Sequence, residues 1–245
     1  MRKKLFALFM TGVMATCMLS GCGNSSGKST HKNKLVFVDW GGTNTDARIE
    51  ANIKPFEEAY DCDVTVVTPS DDTAELCKNL GLMVLSLEMT AHINIAFDGC
   101  DELDKELNAL KANGAIHTKE KIIASMAEKY VLLIDESKFY DTLPLKDSVT
   151  LEVIPQSRNY VQAQIEKLGG KAVMRKSGAK ADFVISDNGN IMDTDFSNVA
   201  TFAGKPEELH KKLKQLTGVV ETALFIDMVA FALCVCGDEV KVIEK

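Results

Sequence analysis

Asp98 and Asp101 stand three residues apart around a glycine in Asp98-Gly99-Cys100-Asp101-Glu102, directly after the apolar run His92 to Phe97. If that run is a strand, both carboxylates lie at its C-terminal mouth, where open α/β sheets bind ligands. The same spacing also suits a turn in which Asp bonds its own backbone. Lys111 opens the small-residue loop Lys111-Ala112-Asn113-Gly114-Ala115, and Glu120 falls in the first turn of a helix beginning near Thr118. Lys138 follows the apolar run Tyr130 to Ile134 in Asp135-Glu136-Ser137-Lys138. Each has an ordinary reading: a loop lysine is commonly solvated, and Glu120 can answer the helix dipole as a capping-box acid with His117 or Thr118. Singly these readings are respectable; the order in which the residues occur together carries more.

Hydrophobic periodicity supplies the elements that must carry them. Asp72 to Leu80 patterns as a helix, Met83 to Leu87 and His92 to Phe97 as strands, and Thr118 to Lys129 as a helix running into the strand Tyr130 to Ile134. Val149 to Ile154, Ala223 to Phe225 and Ala230 to Val235 read as strands, with helices over Asn159 to Leu168 and Glu207 to Leu216. The order is that of an α/β protein: a Rossmann-like open sheet, with a smaller α+β lobe of about residues 152–217 inserted toward the C-terminal half.

The words Phe97-Asp98-Gly99-Cys100-Asp101-Glu102, Lys111 to Gly114, Lys119-Glu120-Lys121-Ile122-Ile123-Ala124-Ser125 and Asp135-Glu136-Ser137-Lys138 occur in one order, and together they resemble type A ribose-5-phosphate isomerases. Glu152-Val153-Ile154-Pro155, Ser186-Asp187-Asn188-Gly189-Asn190 and Gly218-Val219-Val220-Glu221 extend the resemblance over about residues 64–245. It implies an aldose–ketose isomerase that interconverts ribose 5-phosphate and ribulose 5-phosphate through an enediolate, with no metal or organic cofactor. By the same resemblance Glu120 shuttles the carbon-bound proton, Asp98 and Asp101 handle sugar hydroxyls and ring opening, and Lys111 steadies the oxyanion. Lys138 holds phosphate, and Gly99, Cys100, Ala112, Asn113 and Gly114 line the substrate. Gly99 and Gly114 let backbone amides approach the ligand where a side chain would intrude. Two departures stand out. Ala112 and Asn113 interrupt what is usually a run of glycines, and the family's opening helix, strand and Gly-Thr-Gly-Ser-Thr phosphate loop are absent.

The front of the chain reads differently. Arg2, Lys3 and Lys4 precede the apolar run Leu5 to Leu19, and Leu19-Ser20-Gly21-Cys22 resembles a bacterial lipobox, implying lipid at Cys22; a plain secretory signal is the alternative. Residues 23–34 form a flexible tether. Leu35 to Trp40, Ala47 to Tyr60 and Asp63 to Thr68 read as a βαβ unit, and Val38-Asp39-Trp40-Gly41-Gly42-Thr43 and Ile53-Lys54-Pro55-Phe56-Glu57-Glu58 resemble the start of solute-binding proteins of the spermidine/putrescine transporter type. This unit fills the place of the missing one if its loop Gly41, Gly42, Thr43 offers amides to phosphate. Otherwise it is a fusion remnant that packs poorly and leaves a sheet edge exposed. An export signal predicts a membrane-anchored location, whereas the isomerase reading requires the cytoplasm.

The 245 residues carry a net charge of -7, which argues against a nucleic-acid-binding face. The expected partners are a sugar phosphate and a second copy in a homodimer, with membrane contact only through a lipid on Cys22. Cys62, Cys77, Cys100, Cys234 and Cys236 show neither metal-type spacing nor a disulfide framework; Cys234 and Cys236 point to one face of a strand-like run and suit burial. The competing function is a lipid-anchored binding protein for a sugar phosphate or polyamine, or an inactive gene fusion.

Overall fold

The computed structural model of the chain describes residues 33–38, 53–111, 114–177 and 183–245. Cys22, residues 23–32 of the expected tether, Gly41, Gly42, Thr43, Ala112 and Asn113 lie outside the described residues, whereas Asn33 and Lys34, expected in the tether, begin the first strand. In chain order the elements are β1 (Asn33–Val38), α1 (Lys54–Tyr60), β2 (Cys62–Val67), α2 (Asp71–Asn79), β3 (Met83–Val84), β4 (Ile93–Asp98), β5 (Glu102–Asp104), β6 (Ala109–Leu110), α3 (His117–Met126) and β7 (Ala127–Asp135). They continue as β8 (Phe139–Tyr140), β9 (Val149–Val153), α4 (Arg158–Lys167), β10 (Lys171–Met174), β11 (Asn190–Asp195), α5 (Pro206–Lys214), β12 (Val219–Thr222), β13 (Leu224–Phe225), β14 (Phe231–Cys236) and β15 (Glu239–Ile243). The chain divides into two compact units, one ending at Asp98 and including Met126–Val131, the other comprising Gly99–Ser125 and Leu132–Lys245.

The first unit is a parallel sheet in the order β7-β4-β1-β2-β3. β1 pairs in parallel with β2, Leu35 opposite Val64, and with β4, Phe37 opposite Ile95. β1 therefore has a ladder partner on each side, β2 along its length and β4 at Phe37 and Val38, and residues 33–38 form an interior strand of the sheet rather than a bare edge. Ile93, Ile95, Ala96 and Phe97 of β4 are fully buried, with only the partly buried Asn94 interrupting the apolar run of a parallel strand covered on both faces. Ser70 caps α2 by accepting the Thr73 N–H, with Asp71 and Asp72 in the first turn answering the helix dipole.

Within the second unit, β10-β11-β9-β12 is an antiparallel sheet, and β13-β6-β5-β8 forms a smaller one. All five residues of β9 are buried. Leu151 and Val153 share one apolar cluster with Val161 and Ile165 of α4, Met192 of β11, and Leu209 and Leu213 of α5. The end of α4 is a Schellman motif: Gly169 takes φ 89°, its N–H bonds to the Glu166 carbonyl, and the Gly170 N–H reaches Ile165. Pro206 opens α5, with Glu207 and Glu208 in its first turn and Lys211, Lys212 and Lys214 in its last.

Element boundaries moved where periodicity was ambiguous. The helix expected to run to Lys129 ends at Met126, and β7 begins at Ala127 rather than Tyr130. Over three residues at a helix–strand junction the two periods look alike, and pairing decides between them. Of the expected strand Met83 to Leu87 only Met83 and Val84 find ladder partners, Thr65 and Val66 of β2. Strands β5, β6, β8, β10, β11, β12 and β15 were not expected. Most are short or polar, and β11 carries Asn190, Asp193 and Asp195 among its six residues. No helix among the described residues is long and apolar enough to cross a membrane.

Candidate active site

The strand β4 ends on Asp98, and a buried tyrosine meets it there: Tyr130 of β7 donates its hydroxyl to Asp98 Oδ2 at 3.0 Å. The loop that follows is held through its backbone. Lys111 Nζ donates to the Gly99 carbonyl, Lys138 Nζ to the Cys100 carbonyl at 2.8 Å, and the Asp101 N–H to the Leu110 carbonyl at 2.9 Å. Two lysines thus draw on consecutive carbonyls of one turn, which fixes the turn and brings their positive charge to it. Glu102 points inward instead. It accepts the N–H groups of Leu145 at 2.8 Å and Asp147 at 2.9 Å, and burial pushes its carboxyl above the usual range. A Cβ on Gly99 would lie 3.8 Å from the Leu133 carbonyl oxygen, and one on Gly114 3.5 Å from Ile116 Cγ1. Both are ordinary contacts, so nothing among the described residues demands glycine at either position.

Lys111 and Glu120 form the second half of the site. β6 leads straight into Lys111, whose N–H donates to the Ala223 carbonyl at 3.0 Å and whose Nζ stands 3.6 Å from Glu120 Oε1. Lys111 is 7% exposed and Glu120 16%, so the pair is largely withdrawn from water yet reachable. At such burial an ammonium acts on a neighbouring negative charge far more strongly than at the surface. Ala115, between Lys111 and the helix, takes φ 58°, a left-handed conformation that costs a non-glycine residue about 1 kcal/mol.

The capping-box reading of Glu120 is corrected by what Thr118 does. Its hydroxyl donates to Glu152 of β9, while Glu120 pairs with Lys111. Glu152 is buried and also accepts the Ser186 hydroxyl, the Asn188 N–H at 3.1 Å and the Asn188 side-chain amide. Burial alone would raise its pKa, but the hydrogen bonds from Ser186, Thr118 and Asn188 outweigh it and hold the carboxylate ionised. Lys119 pairs with Asp187 at 2.8 Å. The words Glu152 to Pro155 and Ser186 to Asn190 therefore meet in one network that anchors the start of the helix bearing Glu120.

Asp98 immediately precedes the Gly99 to Asp101 turn in the chain. That turn is tied to Lys111 and Lys138, and Lys111 to Glu120. Sequence reasoning missed Tyr130, Glu152, Lys121 and Phe225. Tyr130 was counted only as the start of an apolar run, and Glu152 as a matching letter in a word. A carboxylate inside the apolar stretch Val149 to Ile154 is a signal that a buried partner exists, but not which one. Among the described residues no group of three or more His, Cys, Asp or Glu is arranged to hold a metal ion. Cys234 and Cys236 do share a face, with Sγ atoms 3.6 Å apart, although Cys236 is only partly buried.

Comparison with known proteins shows the family. The ribose 5-phosphate isomerase A (phosphoriboisomerase A) family profile matches residues 65–239. A ribose-5-phosphate isomerase A of Trichodesmium erythraeum is 37% identical over 212 residues, covering 86% of this chain and 87% of the relative. That is more residues than the chain holds from position 65 onward, so the match reaches into the front segment. The ribose-5-phosphate isomerase of Meyerozyma guilliermondii is 36% identical over 72% of each chain. Among solved structures, ribose 5-phosphate isomerase A of Methanocaldococcus jannaschii superimposes with a TM-score of 0.74 at 29% identity, covering 88% of this chain and 93% of that one. A D-ribose-5-phosphate isomerase in complex with phospho-erythronic acid gives 0.75 at 29% identity and the same coverage. With its profile match spanning most of the chain and a relative 37% identical over 86% of it, the chain belongs to the ribose 5-phosphate isomerase A family.

Proposed function

We propose that the interconversion of ribose 5-phosphate and ribulose 5-phosphate, the reaction of this family, is carried here by Glu120 as the proton-transferring base and Lys111 as the oxyanion partner. The observation that supports this is their largely withdrawn pairing, a carboxylate 3.6 Å from an ammonium that also donates to the Gly99 carbonyl of the Gly99 to Asp101 turn. In the open-chain aldose the Glu120 carboxylate takes the proton from C2. The C2–H electrons form the C1–C2 double bond, and the carbonyl oxygen at C1 becomes an oxyanion. Lys111 stabilises that charge where it develops, the arrangement in which preorganised donors contribute most. A proton passes from the C2 hydroxyl to the C1 oxyanion, which moves the charge to O2, and the acid form of Glu120 then returns its proton to C1 as the C2 oxyanion becomes the ketone. Asp98 and Asp101 serve ring opening by moving hydroxyl protons, Asp98 held in place by Tyr130.

Lys138 binds the phosphate in this reading, leaving the Cys100 carbonyl for the ligand. Gly41, Gly42 and Thr43 follow β1, which lies between β2 and β4, and the C-terminal end of such a strand is where a phosphate loop belongs. The front unit, whatever its resemblance to solute-binding proteins, serves in this reading as the family's opening unit. A homodimer is the assembly we favour, with the exposed Val173 and Ile185 as apolar surface available to it. Lipid on Cys22 would set the location, and the mass of the mature protein tests it.

The deciding experiment follows conversion of ribose 5-phosphate by the chain and by Glu120→Gln. A base contributes roughly 10²- to 10⁴-fold, so a loss of that order with KM little changed supports the reading; equal turnover by the variant removes Glu120 from its role. Phospho-erythronic acid, the ligand of the solved relative, carries a carboxylate in place of the reacting centre and should inhibit competitively.

A further inference from the structure

One word of the sequence, Gly218-Val219-Val220-Glu221, has no part in the chemistry above, and it encloses a buried lysine that the chemistry does not use either. Lys121 is the residue after Glu120 in α3 and is 8% exposed. Its Nζ donates to Glu221 Oε1 at 2.9 Å, to the Thr222 carbonyl at 2.6 Å and to the Leu224 carbonyl at 2.7 Å. An ammonium has three N–H donors, and here three acceptors meet them. The same Nζ stands 4.9 Å from the centre of the Phe225 ring, and Lys111 Nζ stands 5.7 Å from that centre. Both distances are within cation–π range.

The acceptors lie on β12 and β13, and β13 pairs with β6, the strand that leads into Lys111. Leu224 and Phe225 of β13 pair with Leu110 and Ala109 of β6, and Ala223 takes the Lys111 N–H. Whatever fixes residues 222 to 225 therefore fixes the backbone of Lys111. The Glu221 carboxylate reaches Lys121 because β12 shifts register against β9 between Val219 and Glu221, an irregularity of the kind that re-aims a side chain. Gly218, at φ 96°, is needed for that path, since a Cβ there would sit 2.2 Å from Ser157 Cβ. Lys214 holds the other oxygen of Glu221 at 3.0 Å, and His210 Nδ1 lies 2.8 Å from Thr222 Oγ1.

The geometry points to Lys121 as a positioning residue for the isomerisation: it clamps residues 221–225 to the helix that bears Glu120, and so sets the Lys111 ammonium against the Glu120 carboxylate. This rests on the assignment of Glu120 as base and Lys111 as oxyanion partner. No contact of Lys121 with substrate is involved.

The test compares the full chain with Lys121→Met, Lys121→Arg, Glu221→Gln and Glu120→Gln. Each is assayed for kcat, KM, melting temperature and the primary isotope effect with ribose 5-phosphate deuterated at C2. A misplacement of about 1 Å costs up to ~10²-fold in rate, so Lys121→Met should lose roughly 10- to 100-fold in kcat, with KM within about twofold and a larger isotope effect. Lys121→Arg should not restore kcat, because a planar guanidinium fork cannot meet three acceptors converging on one point. Folded Lys121→Met with wild-type kcat overturns the proposal, as does a loss that appears in KM alone. If Lys121→Met does not fold, Glu221→Gln decides: a fall in kcat at unchanged KM supports the clamp, and an unchanged kcat overturns it. An active Glu120→Gln would overturn the underlying assignment, a failure distinct from that of Lys121.

Discussion

At the scale of single residues, each group of the site has its direction fixed by a neighbour that the sequence did not advertise. Asp98 receives the Tyr130 hydroxyl, Lys111 is tied to the Gly99 carbonyl, and Lys138 to the Cys100 carbonyl. A hydrogen bond to a charged group contributes about 1.5–3 kcal/mol, and one that orients a reacting carboxylate shows its loss in rate as well. Tyr130→Phe keeps the ring and its packing while removing the donor. It should lower kcat/KM about tenfold, a loss equivalent to roughly 1.4 kcal/mol; an unchanged value would separate Asp98 orientation from Tyr130. The identities of Asp98, Asp101, Lys111 and Glu120 as candidates were legible from residue type and order. Their partners were not, because Tyr130 and Gly99 lie 32 and 12 positions away from the groups they bond.

At the scale of elements, the helix α3 matters most, because it presents Glu120 in its first turn and Lys121 behind it. Its start is held by Glu152, whose carboxylate gathers Thr118, Ser186 and Asn188 from two other segments. Removing a buried acceptor of this kind leaves its donors unsatisfied at about 1–3 kcal/mol apiece. Glu152→Ala should therefore lower the urea midpoint by an amount equivalent to roughly 2–4 kcal/mol, and lower kcat with it through the freed first turn of α3. A variant with wild-type stability would show that water replaces the carboxylate. The helix itself was readable from the apolar spacing of Ile123 and Ala124, both buried. Its end was not, since the strand β7 begins at once and only ladder pairing sets the boundary.

At the scale of the whole molecule, the buried titratable groups set a dependence of stability on pH. Burial lowers His117 from its ordinary 6.5 to about 4, and His210 is likewise lowered to about 4 by burial and then by repulsion from Lys121. The unfolded chain takes up protons near 6.5 where the folded chain does not, so this stability is fully present above about 6.5 and is lost as pH falls through 4. His117, 2% exposed, accounts for about 3 kcal/mol of it. Lys121, lowered to about 8 by burial, acts with the same sign at higher pH: the unfolded chain keeps its proton up to 10.5, so stability rises as pH rises from 8 to 10.5. Urea midpoints between pH 8 and 4.5 should fall steadily below 6.5, and the slope should flatten in His117→Gln. An unchanged slope in that variant would assign the acid sensitivity to His210 and the carboxylates instead of His117.

What the sequence determined by itself was local: the alternation of apolar runs that makes an α/β protein, and the short words whose order carries the family. Those signals depend on neighbours within a turn of helix or a few residues of strand. The tertiary structure decided what depends on distance through space. It placed β1 between β2 and β4, so that a front segment with a foreign resemblance is an interior strand of a parallel sheet. It also turned Glu152 and Lys121 from letters in a motif into buried charges whose acceptors and donors come from 34 and 100 positions away. A charge is buried only where partners compensate its desolvation, and which residues supply them is fixed when the sheets and helices pack.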